Sequence, residues 1–517
     1  MRSIEAKRAR ARRHRMPRTA ACALALALAL GCAADEPDQS LQPMTTRDDA
    51  SPPMSAPPAI DSAPAPDAGM DAGRAANPSP TPVPTPAPAP GAMTSVSAEP
   101  DDEAAYVYDQ AALRTYELVL APADLAALDA DPAAEQYVPG TLVFEGVEHG
   151  PVGIRYKGSA GGFIGCVMGS RPDMPSGPKT CAKLSMKVSF NWSDPEGRFH
   201  GLKKLQFHAM RNDRSLMKER LGYWLFRQMG LPAPRAVHAR LLINGEPIGV
   251  FALVEQIDGR FTRARFSEGG DGNLYKEVWP IHDDEQVYLD ALESNTEQSP
   301  SAARMVAFAQ ALATADGAEL PGVVDDHVDR DALLRYLAVD RAISHDDGPL
   351  AFYCNLAGGQ GGNPGPYGNH NYYWYEEVAS QRLWLVAWDI DLAFRGFSMP
   401  SMSGKFYEPV AAESCRCPEP SGNAFRIARR PAACDKLVQG LAGQVGDYRA
   451  HLRELLDGPF RADAVAARLD AWSAQLLPAL QEEVPDQPTA EQWPSQLQSF
   501  RTTLDSLRAA MTAEIEP

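Results

Sequence analysis

No apolar run in this chain approaches the roughly 18 residues that cross a bilayer as a helix, which excludes an enzyme embedded in the membrane by helices. Positive charge is also scarce. Against 67 Asp and Glu stand 49 Lys and Arg, a net charge of −18 over 517 residues. Eight of the basic residues (Arg2, Lys7, Arg8, Arg10, Arg12, Arg13, Arg15 and Arg18) crowd into positions 1–31, so the rest is more acidic still. That excludes general nucleic-acid binding, which depends on Lys and Arg neutralising phosphates. Residues 33–100 contain no aromatic side chain, while 16 of the 45 prolines fall there. Such a stretch cannot bury enough apolar surface to offset its ordering entropy.

What is present begins with an address. The basic start leads into the alternating Ala/Leu run 20–30 and then Gly31-Cys32, too short to span and positively flanked, as in a secretory signal. Gly31-Cys32 is similar to a bacterial lipobox, in which the cysteine carries the lipid anchor; an ordinary signal peptide with an incidental cysteine is the alternative. Ala33 is not an inner-membrane retention Asp, which points to the outer membrane or cell surface. Residues 32–102, with Pro at every second position from Pro78 to Pro90, then read as an extended stalk. Six further cysteines, an even number, suit disulfides in an oxidising compartment. Cys166 pairs naturally with Cys181, while Cys415, Cys417 and Cys434 leave a zinc site as a second possibility.

The folded part divides by pattern. Residues 103–280 carry short β-branched and aromatic runs at 115–120, 140–144, 152–156, 237–243 and 248–254, the last two flanking the hairpin signal Asn244-Gly245. Residues 183–190 alternate, with Leu184, Met186, Val188 and Phe190 on one face and Lys183, Ser185, Lys187 and Ser189 on the other. One helix is expected here, capped by Asp213 or Ser215 and ended by Gly230. Residues 281–517 turn helical at 302–315, 330–343, 436–456 and within 462–515, the third weakened by Gly440, Gly443 and Gly446. Two strands, 371–375 and 382–388, interrupt them. The expected fold class is α+β with two lobes and a cleft between them.

Candidate chemistry collects at that cleft. Asp389 and Asp391 leave the end of an apolar strand at i and i+2, a spacing suited to a divalent cation with hard oxygen ligands. Asp347, with Asp346 an equally charged neighbour, follows a helix, and Asn371 precedes a strand. Acid, amide and strand-terminal acid form the series of phosphoryl-transfer sites. Arg155, Gly158 and Ser159 belong to a glycine-rich turn able to bring backbone N–H groups near phosphates, though it lacks the Gly-Lys-Ser/Thr ending of a Walker A loop. Lys183 or Lys187 reaches toward phosphate, and Glu219 on the lone helix is placed to pair with such a lysine.

These pieces in this order resemble the CotH family of spore-coat atypical protein kinases. The resemblance rests on Arg155-Tyr156-Lys157-Gly158-Ser159, Lys183 to Lys187, Gly201-Leu202-Lys203-Lys204-Leu205, Asp213-Arg214-Ser215 through Glu219, Ile243-Asn244-Gly245 with Leu253-Val254-Glu255, Asp347, Asn371-Tyr372-Tyr373 and Trp388-Asp389-Ile390-Asp391. It covers roughly residues 110–400. The resemblance implies a protein-kinase-like fold, with a strand-rich N-lobe and a mainly helical C-lobe, that binds ATP with Mg or Mn and phosphorylates Ser or Thr of a surface or envelope protein. It makes Asp347 the catalytic acid, Asp389 with Asn371 and Asp391 the metal group, Lys183 or Lys187 the phosphate contact, and Glu255 part of the hinge at the adenine. His345 departs from the Asn usual there, and insertions at 358–368 and between Cys166 and Cys181 leave the acceptor open. The competing class is a non-catalytic envelope scaffold whose acids hold structural Ca, since ATP is scarce outside the cytoplasm.

Overall fold

Strand β4 (Met186–Ser189) puts Met186 and Val188 inside a closed barrel, as the alternation requires, yet Lys187 and Ser189 on its other face are buried too. The structure, a computed structural model, describes residues 98–158, 160–167, 175–266, 270–295, 299–354, 368–395, 405–417 and 429–516. All belong to one compact unit. The export segment, nearly all of the proline-rich stretch, Ser159 and most of the 358–368 insertion lie outside the described residues.

The barrel runs β1 (Arg114–Val119), β2 (Val138–Phe144), β3 (Val147–Tyr156), β4, β5 (Lys204–His208), β7 (Glu246–Val254) and β6 (Ala236–Ile243). Neighbours are antiparallel except at the seam, where β6 lies parallel to β1. Its interior is filled by Tyr116, Leu142, Ile154, Met186, Leu205, Phe207 and Leu253. β6 and β7 serve two cores at once. Val237, Ala239 and Leu253 face the barrel interior, whereas Ala236, Ala252 and Val254 face a second core outside it, the period of two that a strand imposes.

That second core collects most of the helices. Two lie against the barrel core instead: α1 (Pro122–Ala130), packed near β2, and a single turn, α2 (Ala160–Phe163). α3 (Lys218–Gln228) is the helix expected from its apolar stripe; α4 (Gly259–Arg265), α5 (Glu285–Asp290) and α6 (Ala303–Thr314) follow. Then come α7 (Leu320–His327), α8 (Arg330–Ala342), α9 (Lys436–Leu441), α10 (Val445–Asp457), α11 (Ala462–Leu476) and α12 (Trp493–Ile515). Two sequence expectations are corrected here. The strand-rich part holds more than one helix: α1 shows little amphipathic patterning, so periodicity does not find it. The helix expected over 436–456 is broken by a 3-10 turn at Ala442–Gln444, where its glycines cluster. α3 packs in the second core although it lies among the strands in sequence.

A three-stranded sheet, β8 (Leu274–Lys276), β10 (Tyr372–Glu376) and β11 (Leu383–Ala387), carries the later motifs, and β9 (Phe352–Tyr353) pairs with β12 (Arg429–Arg430). Disulfides join Cys166–Cys181, Cys354–Cys417 and Cys415–Cys434. With their sulfurs in S–S bonds, Cys415, Cys417 and Cys434 do not form the zinc site weighed as the second possibility.

Candidate active site

Register explains why a polar strand face is buried. Arg155, Lys187 and Gln206 lie side by side across β3, β4 and β5, and Lys157 and His208 follow two residues on, at the ends of β3 and β5. This stripe is on the outside of the barrel, and the second core closes over it: Trp388 lies 5.2 Å from Lys157 Nζ and 5.8 Å from the His208 ring. Between stripe and cover is a pocket lined by Lys157, Gly158, His208, Asp213, Lys218, Glu219, Asp347, Asn371, Asp389 and Asp391, among others.

Six of the sequence candidates therefore meet: Gly158, Glu219, Asp347, Asn371, Asp389 and Asp391. Others do not line this pocket. Lys183 donates from Nζ to the Val250 carbonyl and lies 4.5 Å from the Phe251 ring, inside the barrel; burial lowers its ammonium to about 7. Lys187 is buried one step further along the stripe. Arg155 is paired with Glu135 and lies 5.2 Å from the Tyr137 ring, and Glu135 also accepts the Gly158 N–H at 2.7 Å. Glu255 is fully buried against Arg265 at 2.6 Å and Arg235 at 2.8 Å. Despite burial, these two guanidiniums hold its carboxyl far below the usual range. Its side chain is committed to an ion cluster at the end of β7.

Asp347 is the most tightly held acid. The Tyr353 hydroxyl donates to it, His370 Nε2 lies 2.7 Å from Oδ1, and Asn371 Nδ2 donates to Oδ2 at 2.9 Å and to the Asp347 carbonyl at 3.0 Å. Burial pushes its pKa up, but His370, Tyr353 and Arg429 outweigh it and hold the group ionised. Arg429 also takes Asp346, at 3.0 Å, and lies 2.6 Å from the Tyr353 hydroxyl. Of the two adjacent acids, then, Asp347 faces the pocket.

The metal candidates crowd one another. Burial raises the Asp389 carboxyl, with Glu219 and Asp347 adding to the push and His208 and Lys157 opposing it. Asp391 is raised well above its ordinary value by burial, Asp389 and Glu219. Asn371 and Asp389 both sit at positive φ, 66° and 45°, where side chains other than glycine are strained. Asn371 spends its amide protons on Asp347, so its Oδ1 is fixed as an acceptor, and that oxygen is buried without a hydrogen-bond partner. An orphaned amide oxygen beside two mutually repelling carboxylates fits a hard divalent cation that keeps water and phosphate oxygens as its other ligands. Among the described residues no three His, Cys, Asp or Glu side chains form a ready-made metal cage.

Opposite stands a chain of which sequence reasoning named only the Glu219 end, missing the His208 link to Lys157. Glu219 Oε1 is 2.6 Å from His208 Nδ1, and His208 Nε2 is 2.9 Å from Lys157 Nζ, which also donates to Gln206 Oε1 at 2.6 Å. Burial pushes the Glu219 carboxyl up to about 8 against the pull of Lys157. The only sequence signal was the Gln206/His208 spacing of two after Leu205. Asp213, expected as a cap, accepts the Ser215 N–H at 2.9 Å and the Lys218 N–H at 2.8 Å.

A family model described as CotH kinase protein matches residues 154–511, well over half of the chain. The protein belongs to the CotH family. It is similar to the inner spore coat protein H-like protein of Bacillus subtilis (strain 168), 33% identical over 102 residues, which are 20% of this chain and 32% of that protein. It is also similar to the inner spore coat protein H of the same organism, 24% identical over 296 residues, 55% of this chain and 69% of that protein. The chain thus spans about a third of the first relative and about two thirds of the second.

Proposed function

We propose that this protein transfers the γ-phosphoryl group of ATP to Ser or Thr of a partner protein, with Mg or Mn. The observation that carries the reading is the convergence of Asp347, Asn371, Asp389 and Asp391 on one pocket whose far wall holds Lys157. Asp347, kept ionised, accepts the proton of the attacking hydroxyl as its oxygen bonds to phosphorus and ADP leaves. Asn371 Oδ1 and Asp389, with Asp391 beside them, would hold the metal, which supplies charge neutralisation for the phosphates. Lys157 takes the phosphate-contacting role that the sequence offered to Lys183 or Lys187. Membership of a family whose model is described as a kinase supports the reading, as does a two-core α+β fold with the pocket at the seam.

The acceptor is a surface or envelope protein in this proposal, because export with lipid attachment at Cys32, as the sequence leads us to expect, would put the folded part at the end of an anchored stalk. The test is labelling of the protein itself from γ-labelled ATP and Mg, with Asp389→Ala as control. The expected result is labelling that disappears in the variant while its melting temperature is kept; labelling that persists overturns the assignment. Calorimetry separates the scaffold alternative, for which Ca would bind tightly and Mg·ATP not at all.

A further inference from the structure

The wall opposite the acids has a donor–acceptor order that can be read atom by atom. Lys157, 3% exposed, reaches Gln206 and His208, two side chains on the same face of β5, and His208 passes the contact to Glu219 on α3. A direct Lys–Glu pair would need only two residues. Here an imidazole stands between them, with one ring nitrogen on each. Were that imidazole doubly protonated, its Nε2–H would face the Lys157 ammonium 2.9 Å away, donor against donor. A ring with one proton satisfies both ends. Either Lys157 donates to Nε2 while Nδ1–H donates to the Glu219 carboxylate, or Glu219, holding the proton, donates to Nδ1 while Nε2–H donates to an uncharged Lys157 amine. In passing from the second arrangement to the first, one proton leaves Glu219 for Nδ1 and one leaves Nε2 for Lys157, so the ring stays neutral and the total charge is unchanged. Only the first gives an ammonium that a phosphate oxygen can accept from.

We infer that His208 is a positioning residue that fixes the Lys157 amine toward the nucleotide phosphates and couples its charge to Glu219. This inference rests on the phosphotransfer reading above and identifies the group that orients its lysine. The Trp388 ring, one residue before Asp389, touches both Lys157 and His208, so the lysine wall and the metal group are held by one indole. Gln206 alone cannot replace the imidazole, because its Oε1 accepts from Lys157 while its Nε2 has no hydrogen-bond partner to pass the contact on.

Three substitutions separate the two ends of the ring. His208→Gln places an amide group near the former Nε2 and keeps a partner for Lys157. His208→Asn keeps a group near Nδ1, toward Glu219, and abandons Lys157. His208→Ala removes both. Self-labelling and Mg·ATP turnover are measured on the full chain, with Asp389→Ala alongside and melting temperature as the check on folding. The inference expects His208→Ala and His208→Asn to lose about tenfold to a hundredfold in kcat/KM for ATP, the range for one charge-assisted hydrogen bond. It expects His208→Gln to recover most of that loss. It further expects a ¹⁵N spectrum of the ligand-free wild type in which the His208 ring carries one proton, moving to Nδ1 when Mg and a non-hydrolysable ATP analogue are added. Wild-type turnover in His208→Ala with an inactive Asp389→Ala overturns the inference and leaves the phosphotransfer reading standing. Labelling that survives Asp389→Ala removes that reading, and the ring spectrum still decides the inference: an imidazolium at neutral pH overturns it.

Discussion

Asn371 gives both of its amide hydrogen bonds to Asp347, at 2.9 Å to the carboxylate and 3.0 Å to the carbonyl, which locks the amide plane and leaves Oδ1 buried and unpaired. One residue thereby orients the proposed base and offers a cation ligand. Asn371→Asp replaces two donors by an acceptor and adds a like charge beside Asp347. The variant is expected to be less stable by about 1–3 kcal/mol, the cost of stranding buried polar groups, and to lose labelling. Urea unfolding and self-labelling check it; wild-type labelling would refute the shared role.

Gly222 on α3 faces Ile390, which lies between the two metal-group acids. A Cβ at Gly222 would fall 2.5 Å from Ile390 Cδ1 and 3.6 Å from Phe394, so the helix carrying Glu219 approaches the Asp389–Asp391 segment only because the side chain is absent. Gly222→Ala gains helix propensity but overpacks this contact, for a net loss of about 1–2 kcal/mol. Turnover is expected to fall further than stability does, because the displaced segment holds the acids. A variant with unchanged turnover and raised stability would show that the contact yields freely.

Lys183 behaves as an interior group. Burial lowers its pKa from 10.5 to about 7, so the native state resists protonation that the unfolded chain accepts. Stability is therefore greatest above the unfolded value and falls as the pH drops toward about 7, by about 1.4 kcal/mol for each tenfold rise in proton concentration. Lys183→Met is expected to flatten that dependence between pH 10 and 7, raise stability at neutral pH, and leave Mg·ATP turnover in place. Denaturant melts at several pH values read the first two; loss of turnover at full stability would return Lys183 to the phosphate site.

How much of this was legible in the sequence depends on range. The β6–β7 hairpin follows from Asn244-Gly245, and both residues take the positive φ that such a turn requires, 51° and 83°. Asp347, Asn371 and Asp389 could be found because each ends or begins an element within a short motif. The choice of lysine could not. Alternation at 183–190 says which face is apolar, but not that the polar face is roofed by Trp388 or that Lys183 turns into the barrel. The Arg429–Tyr353 contact joins residues 76 apart in sequence, and His208 meets Glu219 only because α3 leaves the strands to join the second core.

The β9–β12 ribbon that holds Tyr353 and Arg429 is fastened by two disulfides sharing the Cys415-Arg416-Cys417 segment: Cys354–Cys417 spans 63 residues and Cys415–Cys434 spans 19. Loops of such lengths are worth about 3–4.5 kcal/mol each in the chain-entropy account. Cys354→Ser with Cys417→Ser is expected to lower turnover at temperatures where the barrel is still folded, since Asp347 loses the ribbon that fixes its Tyr353 donor. Cys166→Ser with Cys181→Ser is expected to cost stability while sparing turnover. Circular dichroism and labelling on the same samples distinguish them; equal effects of the two pairs on turnover would dissociate the ribbon from the base.

The decisive measurement is the anomalous signal of Mn in crystals of the folded part, beginning near residue 103, soaked with a non-hydrolysable ATP analogue. The account predicts a peak about 2.0–2.2 Å from Asn371 Oδ1 and an Asp389 carboxylate oxygen, with phosphate oxygens within hydrogen-bond reach of Lys157 Nζ. A nucleotide bound elsewhere, or a cation that leaves Asn371 Oδ1 untouched, would contradict it.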